Sequence, residues 1–224
     1  NGPGNPKHLS GKEEAMNILI IGATRGIGRQ ALDQALEQDH RVTVLARRPE
    51  SLDLQHERLT SLRGDIGNAG ALFPAVRGQE AVIITVGIAP TLSPVSFFSA
   101  GTHIGLEAMA AHGVKRLLAV TGIGAGDSRG HGGFLYDRIF NPLLLGRLYA
   151  DKDRQEAIVR QSGATWTIVR PGFLTDGPLT GNYRVLTDLT GVTCGKISRA
   201  DVAHFLLQEL ADSRYAGQTP LLTY

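Results

Sequence analysis

The sequence predicts an α/β fold, a doubly wound parallel sheet with helices on both faces. Two observations predict it. Short runs of apolar, often β-branched residues recur along the chain, as in strands that are buried on both faces. Segments with helical spacing of apolar residues separate these runs, and such alternation implies parallel strands joined by right-handed crossovers. A chain of 224 residues is long enough for one domain with a substantial core.

The fold is organised around residues 17–28, with the sequence NILIIGATRGIG. An apolar strand ends at a glycine, two more glycines follow, and a helical pattern begins. Such a turn directs free N–H groups of a helix N-terminus at an anion, and the missing Cβ atoms allow its close approach. The spacing G-x-x-x-G-x-G differs from the common dinucleotide fingerprint, so a turn that serves chain geometry alone is the alternative. We expect a Rossmann-like pyrophosphate site formed by Gly22, Ala23, Thr24, Arg25, Gly26, Ile27 and Gly28.

The remaining elements follow from periodicity and from turn residues. Ser198, with Asp201 three residues later, resembles a capping box and opens the last helix. A glycine-rich loop at 121–133 has the irregularity of an active-site loop. Further strands are predicted at 40–46, 59–64, 81–86, 114–120, 165–169 and 220–223, and helices at 68–76, 96–112, 147–162 and 198–210.

Ligands of such sheets bind beyond the carboxyl ends of the strands, near the point where the strand order reverses. This rule selects one residue group after each strand, and all of these groups should converge on one crevice. Besides the glycine turn, they are Arg47, Arg48, Asp65, Ile66, Val86, Gly87, Thr121, Pro171, Gly172 and Phe173.

The end of the second strand predicts which cofactor is bound. An acidic residue there would hold the ribose 2′-hydroxyl of NAD, but the sequence is Ala46-Arg47-Arg48. Two guanidinium groups can grip a 2′-phosphate, and Arg25 can add a third positive contact. We therefore expect NADP(H) to be preferred over NAD(H), with solvated strand-end charges as the alternative. Asp65 can accept a hydrogen bond from the adenine amine, or it can cap the next helix.

Composition excludes several classes of function. A formal charge of +2 without a Lys/Arg block gives no indication of nucleic-acid binding, and no apolar run approaches the ~20 residues of a membrane span. No metal site is predicted. The single cysteine, Cys194, fits a reducing compartment, so we expect a cytoplasmic protein. This cysteine is a structural residue or, alternatively, a nucleophile. A monomer and a homodimer both remain open.

Residues 1–15 are polar and rich in glycine and proline, and they lack the apolar segment of a secretory signal. Because Met16 directly precedes the first strand, we interpret 1–15 as a leader, either added ahead of the natural start or a disordered native arm. Residues 16–224 then form a single NAD(P)-binding domain. Within it, about 173–197 would be a small substrate region.

Several segments together resemble the short-chain dehydrogenase/reductase superfamily. They are GATRGIG, the GDI triplet at 64–66, Val86-Gly87, KDRQEAIVRQSGATWTIVRPG at 152–172 and ISRADVAHFL at 197–206. The resemblance covers about 17–210. It is strongest to the atypical, NmrA-like branch of NAD(P)-binding proteins, which includes the flavin reductase/biliverdin reductase B type.

The resemblance implies a lysine that holds the nicotinamide ribose and a tyrosine, four residues earlier, that moves the proton. Lys152 stands at the lysine position, and Thr121 is similar to the Ser/Thr that completes the set. The tyrosine position holds Leu148 instead. Tyr149 is displaced by one residue, which rotates its side chain by about 100° around the helix. The usual proton donor is therefore absent from its place.

This departure predicts an NADPH-dependent oxidoreductase that transfers hydride to a small conjugated acceptor, such as a flavin or quinone. Such an acceptor spreads the developing charge, so solvent can supply the proton. The alternatives are a non-catalytic NADP(H)-sensing or scaffold protein of the NmrA type, and a ketoreductase or tailoring enzyme acting on a polyketide-like or terpenoid carbonyl. The short region after Phe173 argues against a nucleotide-sugar epimerase. Replacement acids or acceptor contacts are expected among Tyr149, His131, Phe134, Tyr136, Phe173 and Tyr183.

Overall fold

The sheet runs through the middle of a three-layer α/β sandwich. The computed structural model describes residues 14–89, 91, 93–133, 138 and 145–224. In these ranges the strands are β1 (Asn17–Ile21), β2 (Arg41–Ala46), β3 (Leu59–Arg63), β4 (Ala81–Ile84), β5 (Arg116–Val120), β6 (Thr165–Pro171), β7 (Phe173–Thr175), β8 (Arg184–Leu186), β9 (Lys196–Ser198) and β10 (Leu221–Thr223). The helices are α1 (Gly26–Glu37), α2 (Ala69–Val76), α3 (Phe97–His112), α4 (Gly146–Gln161) and α5 (Arg199–Asp212).

Eight strands form the main sheet in the order β3-β2-β1-β4-β5-β6-β10-β8. All neighbouring pairs are parallel except β10 with β8, which pair antiparallel. The strand order reverses between β1 and β4, so the crevice predicted for ligands lies at this point. The doubly wound, mostly parallel α/β fold is thus confirmed.

The two faces of the sheet carry separate apolar cores. Helices α1 and α5 cover one face, where Leu32 and Leu206 pack with inward residues of β1 and β2. Helices α2, α3 and α4 cover the other face, where Leu72, Met109 and Val159 pack together. Strands β1 and β4 are buried on both faces, which explains their unbroken apolar sequences.

The region between β6 and α5 contains structure that the sequence pattern does not predict. β7 pairs in parallel with β9 in a separate two-stranded sheet, and β8 forms an edge of the main sheet. Each of these strands has three residues, too few for a detectable alternation of polar and apolar side chains. The predicted cap of the last helix is present, because the Ser198 hydroxyl accepts a hydrogen bond from Asp201 N.

None of the helices in the described part of the chain combines the length and the apolar composition needed to cross a membrane.

Candidate functional site

A cleft of about 900 Å³ lies at the carboxyl ends of β1, β2 and β4, where the strand order reverses. It is long enough to run from the end of β2, across the glycine turn, to the start of α3. Eleven of the residues predicted to bind the cofactor line it: Gly22, Thr24, Arg25, Gly26, Ile27, Arg47, Arg48, Asp65, Ile66, Val86 and Gly87.

The glycine turn between β1 and α1 is shaped by close backbone packing. Gly22 has a φ of +100°, and a Cβ on it would lie 2.9 Å from Val86 N. A Cβ on Gly28 would lie 2.3 Å from Gly22 O and 2.4 Å from the Thr85 hydroxyl. Glycine at these positions therefore lets α1 begin directly against the end of β1, with its first N–H groups facing the cleft. Gly28 and the buried Ala23 support the turn from behind and do not line the cleft.

Positive charge is concentrated at the end of the cleft formed by β2. Arg25, Arg47 and Arg48 are all exposed there, and no acidic residue follows β2 directly. The Asp65 Oδ2 lies 3.8 Å from Nε of Arg47, a side chain that is 77% exposed. This weak pairing leaves the guanidinium groups available for an anionic ligand.

Asp65 also shapes the loop that leads into α2. Its Oδ1 accepts a hydrogen bond from Gly67 N at 2.9 Å, whereas the residue at the cap position, Asn68, makes no side-chain capping bond. Asp65 thus turns the loop ahead of the helix and does not cap the helix itself. Its carboxylate still lines the cleft, and the predicted contact with adenine stays a prediction.

The other end of the cleft is mostly apolar. The loop after β4 lines it with Val86, Gly87 and Ile88, and the start of α3 adds Phe97. Leu174 of β7 is 38% exposed on the cleft wall. Behind this wall lies an aromatic cluster in which Phe98 and Tyr149 pack with Val95, Ala125 and Leu148. This end of the cleft offers apolar surface on which a flat ring can pack.

Lys152 lies behind the cleft wall and does not line the cleft. Its side chain is buried, with Nζ 3.4 Å from Val120 O and 4.5 Å from the centre of the Phe98 ring. Burial lowers the pKa of Lys152 to about 8, although the nearby carboxylates of Glu156 and Asp151 partly oppose this shift.

The depressed pKa of Lys152 predicts a pH-dependent stability. Its pKa in the unfolded chain is near 10.5, so between pH 8 and pH 10.5 the unfolded chain binds more protons than the folded one. The contribution of Lys152 to the free energy of unfolding therefore rises with pH across this window, by roughly 3 kcal/mol in total. Urea unfolding of wild type and of Lys152→Met should show their difference in free energy growing in favour of wild type from pH 8 to pH 10. A constant difference would contradict this, and Lys115→Met, at an exposed lysine, is the control.

Thr121 belongs to a buried ionic network. Its hydroxyl donates to Glu156 Oε1 at 2.7 Å, and Arg170 Nε donates to the same oxygen at 3.0 Å. Arg170 also donates to Glu156 Oε2 at 2.6 Å and contacts Asp127, while Arg160 lies 3.2 Å from Glu156 Oε2. Burial alone would lower the pKa of Arg170, but the bonds to Glu156 and Asp127 outweigh it and raise that pKa. The network ties the loop after β5 to β6 and α4.

Tyr149 packs against the same loop. A Cβ on Gly122 would lie 3.0 Å from the Tyr149 hydroxyl, and one on Gly124 would lie 2.6 Å from the ring. Tyr149 is buried, and neither it nor Thr121 is among the residues that line the cleft. The roles that the resemblance implies for Lys152, Thr121 and Tyr149 therefore stay predictions, with all three placed one layer behind the cleft.

The structure does not bring the other predicted residues together in the cleft. Pro171, Gly172 and Phe173 pass beside it in β6 and β7, and Gly172 packs tightly against Gly195 O. His131 Nδ1 lies 2.8 Å from Val192 O and ties two loops together. Tyr183 packs against α5, with its hydroxyl 2.8 Å from His204 Nδ1, so its predicted place in the acceptor pocket is not supported. Phe134 and Tyr136 lie outside the described residues.

Sequence reasoning missed several residues that line the cleft. Thr85 lies in the strand predicted at 81–86, Ile88 follows that strand and Phe97 lies in the first turn of the helix predicted at 96–112, so position alone could have included them. Ser51 lies in the short 3-10 helix that follows β2. Leu174 lies in β7, Asp176 directly follows β7 and Arg199 begins α5, all far from the glycine turn in sequence. The packing of α5 against α1 brings Arg199 to the cleft, and β7 pairs with β9, the strand directly before α5. No local pattern indicates these contacts.

Comparison with known proteins identifies the family of this fold and cleft. The model of a family described as NAD(P)H-binding matches residues 22–213. A Bacillus subtilis protein named as an uncharacterized sugar epimerase, YhfK, is 28% identical over 201 residues, which cover 87% of this chain and 88% of that protein.

Two similar proteins carry reductase names. A (4-alkanoyl-5-oxo-2,5-dihydrofuran-3-yl)methyl phosphate reductase of Streptomyces griseus is 27% identical over 209 residues, covering 90% of this chain and 65% of that protein. The solved structure of ChuY, named as an anaerobilin reductase, from Escherichia coli O157:H7 matches with a TM-score of 0.79 at 23% identity, covering 92% of this chain and 96% of that one. The match spans nearly the whole domain and includes the glycine turn, so this chain belongs to the NAD(P)H-binding family and has the Rossmann-like fold expected of an NAD(P)H-dependent oxidoreductase.

Proposed function

We propose that this protein is an NADPH-dependent reductase of a small conjugated acceptor such as a flavin, a quinone or a linear tetrapyrrole. The observation that carries this proposal is the division of the cleft into a cationic end and an apolar end. Among the residues that the structure describes, the apolar wall includes no titratable proton donor. The glycine turn suits the pyrophosphate, and the arginines after β2 suit the 2′-phosphate. The apolar wall suits the nicotinamide ring.

The cationic end supports NADPH as the cofactor. Arg47 and Arg48 follow β2, where an acidic residue would favour NADH, and Arg25 lies in the adjacent turn. Guanidinium groups bind phosphate oxygens through charge-assisted and often bidentate hydrogen bonds. A 2′-phosphate placed among these side chains would replace the weak contact between Arg47 and Asp65 with stronger ones.

The apolar end supports a conjugated acceptor. When bound, NADPH supplies a hydride, and a simple ketone would then need a proton delivered to its developing alkoxide. Thr121 donates its hydrogen bond to Glu156, Lys152 is buried beneath Phe98, and Tyr149 packs against glycine backbone. A conjugated acceptor spreads the charge and takes its proton from solvent. The residues of this end then need only exclude water from one face and orient the ring against Val86, Ile88 and Phe97.

The names of the two similar reductases agree with this reading. Their names indicate an anaerobilin and a 5-oxo-2,5-dihydrofuran as substrates, and neither is a saturated ketone. The sugar-epimerase name of the Bacillus subtilis relative suggests another reaction. Between β7 and β9, however, this chain has one short strand, β8, and loops in place of a separate sugar-nucleotide domain.

The test is anaerobic NADPH oxidation with matched panels of acceptors. We expect turnover with flavins, quinones or tetrapyrroles, slow or no turnover with saturated ketones and aldehydes, and activity within about twofold of wild type in Tyr149→Phe. Ketone reduction that is lost in Tyr149→Phe would instead establish the ketoreductase. Tight NADPH binding without hydride transfer to any panel would establish a sensing protein. Cytoplasmic location and oligomeric state stay predictions, and sedimentation of the purified protein distinguishes monomer from homodimer.

A further inference from the structure

Arg199 reaches the glycine turn from the opposite side of the cleft. It is the first residue of α5, and its side chain, 29% exposed, lines the cleft. A Cβ on Gly26 would lie 3.7 Å from both Cδ and Nε of Arg199. The guanidinium stem therefore passes over the first residue of α1, where the free N–H groups of the helix are directed.

The backbone that carries Arg199 is held firmly in place. The Ser198 hydroxyl accepts from Asp201 N at 3.0 Å and donates to Pro178 O at 3.0 Å. The buried carboxylate of Asp201 accepts from Thr180 N and Gly181 N, each at 2.8 Å, and from the Tyr224 hydroxyl at 2.7 Å. These bonds fix the start of α5 relative to the loop after β7, so little ordering is needed for Arg199 to meet a ligand.

The ionic partner of Arg199 in this structure is weakly held. Nη1 of Arg199 donates to Asp176 Oδ1 at 2.7 Å, but the Asp176 side chain is 90% exposed. An ion pair this exposed contributes little, because water competes for both charges. Both residues line the cleft, so an anion at the start of α1 and the Asp176 carboxylate would compete for the same guanidinium group.

We propose that Arg199 binds the pyrophosphate of the dinucleotide and exchanges the Asp176 carboxylate for it. This inference rests on the dinucleotide binding assumed in the proposed function. The pyrophosphate would then be held between the N–H groups of α1 and a cation from α5, which together neutralise its charge on two sides. Asp176 acts as a competing anion that keeps Arg199 aimed into the cleft before the cofactor arrives.

If the pyrophosphate displaces Asp176 from Arg199, substitutions of these two residues should change the affinity for dinucleotides in opposite directions. In titrations followed by nicotinamide fluorescence, Arg199→Ala should weaken NADPH and NADH by the same factor, roughly tenfold or more. Asp176→Asn should tighten both, roughly two- to threefold. ADP-ribose, which has the pyrophosphate but no nicotinamide, should show the same changes by calorimetry. The double variant should bind like Arg199→Ala.

Controls separate this role from a structural one. Arg214→Ala removes an exposed cation beyond the other end of α5 and should change no affinity. Arg199→Lys should recover part of the lost binding because it restores the charge. If Asp176→Asn weakens binding as Arg199→Ala does, the pair is structural and the proposal fails.

If Arg199→Ala changes only the KM of the acceptor, Arg199 contacts the acceptor and the proposal also fails. Unchanged dinucleotide affinity in Arg199→Ala, with reductase turnover intact, overturns this inference alone. If no acceptor is reduced, but Arg199→Ala weakens and Asp176→Asn tightens dinucleotide binding, the proposed reductase activity fails and the role of Arg199 stands. A wild-type protein that binds neither dinucleotide nor ADP-ribose overturns both.

Discussion

The double variant Arg47→Ala/Arg48→Ala is expected to lose its preference for NADPH, with its affinity for NADPH falling about 100-fold or more while that for NADH changes less than about threefold. The reason is that both guanidinium groups line the cleft at the end of β2, where we place the 2′-phosphate of NADPH, a group that NADH lacks. A hydrogen bond to a charged group contributes about 1.5–3 kcal/mol, so two of them account for at least two orders of magnitude.

Fluorescence titration with both cofactors measures this change, and ionic strength adds a second criterion. Because Arg47 is 77% exposed, its contacts are open to screening by salt. The preference of the wild type should therefore decline between low and high salt, while the double variant should show little dependence. Arg41→Ala, an exposed arginine at the opposite end of β2, is the matched control and should leave both affinities unchanged. Tighter binding of NADH than NADPH by the wild type would refute the assignment.

The proposed selectivity can be predicted from the sequence because its proposed determinants are local. A strand end, a glycine turn and two adjacent arginines occupy short segments whose spacing fixes their place in a parallel sheet. For the same reason the strands β1, β2, β4, β5 and β6 and all five described helices are predicted to within a few residues. Strand β4 is entirely apolar, α3 ends at Gly113 and α5 begins after the capping residue Ser198.

The other half of the cleft could not be predicted because non-local packing builds it. Arg199 reaches Gly26 only because α5 lies against α1, and 172 residues separate the two positions in the chain. Leu174 belongs to β7, whose three residues carry no periodic signal, and Asp176 directly follows this strand. The resemblance to short-chain dehydrogenases placed Thr121 at the reacting centre. In the structure its hydroxyl donates to Glu156, and Glu156 in turn accepts from the buried Arg170, a contact that no sequence pattern indicates.

Breaking the buried ion pair of Glu156 and Arg170 is expected to cause the largest loss of stability among the substitutions considered. Arg170 is 0% exposed, and Glu156 supplies both of its carboxylate oxygens to it. In Glu156→Gln the guanidinium group keeps the single, mostly exposed carboxylate of Asp127 and remains inside the protein. Removing one member of a buried ion pair leaves an uncompensated charge, which costs about 3–5 kcal/mol. We expect the free energy of unfolding in urea to fall by that amount.

The double variant Glu156→Leu/Arg170→Met separates the cost of an unpaired charge from the contribution of the pair itself. Apolar residues of similar size remove both charges from the interior, so the double variant should be more stable than either Glu156→Gln or Arg170→Met. Arg160→Met removes the partly exposed third member and should cost less than about 1 kcal/mol. Glu156→Gln within about 1 kcal/mol of wild type would show that Arg170 finds other partners. Loss of the Glu156 carboxylate should also weaken the hydrogen bond that holds the Thr121 hydroxyl. Amide hydrogens of the loop after β5 should therefore exchange faster in Glu156→Gln than in wild type. The residues that line the cleft are unchanged in this variant.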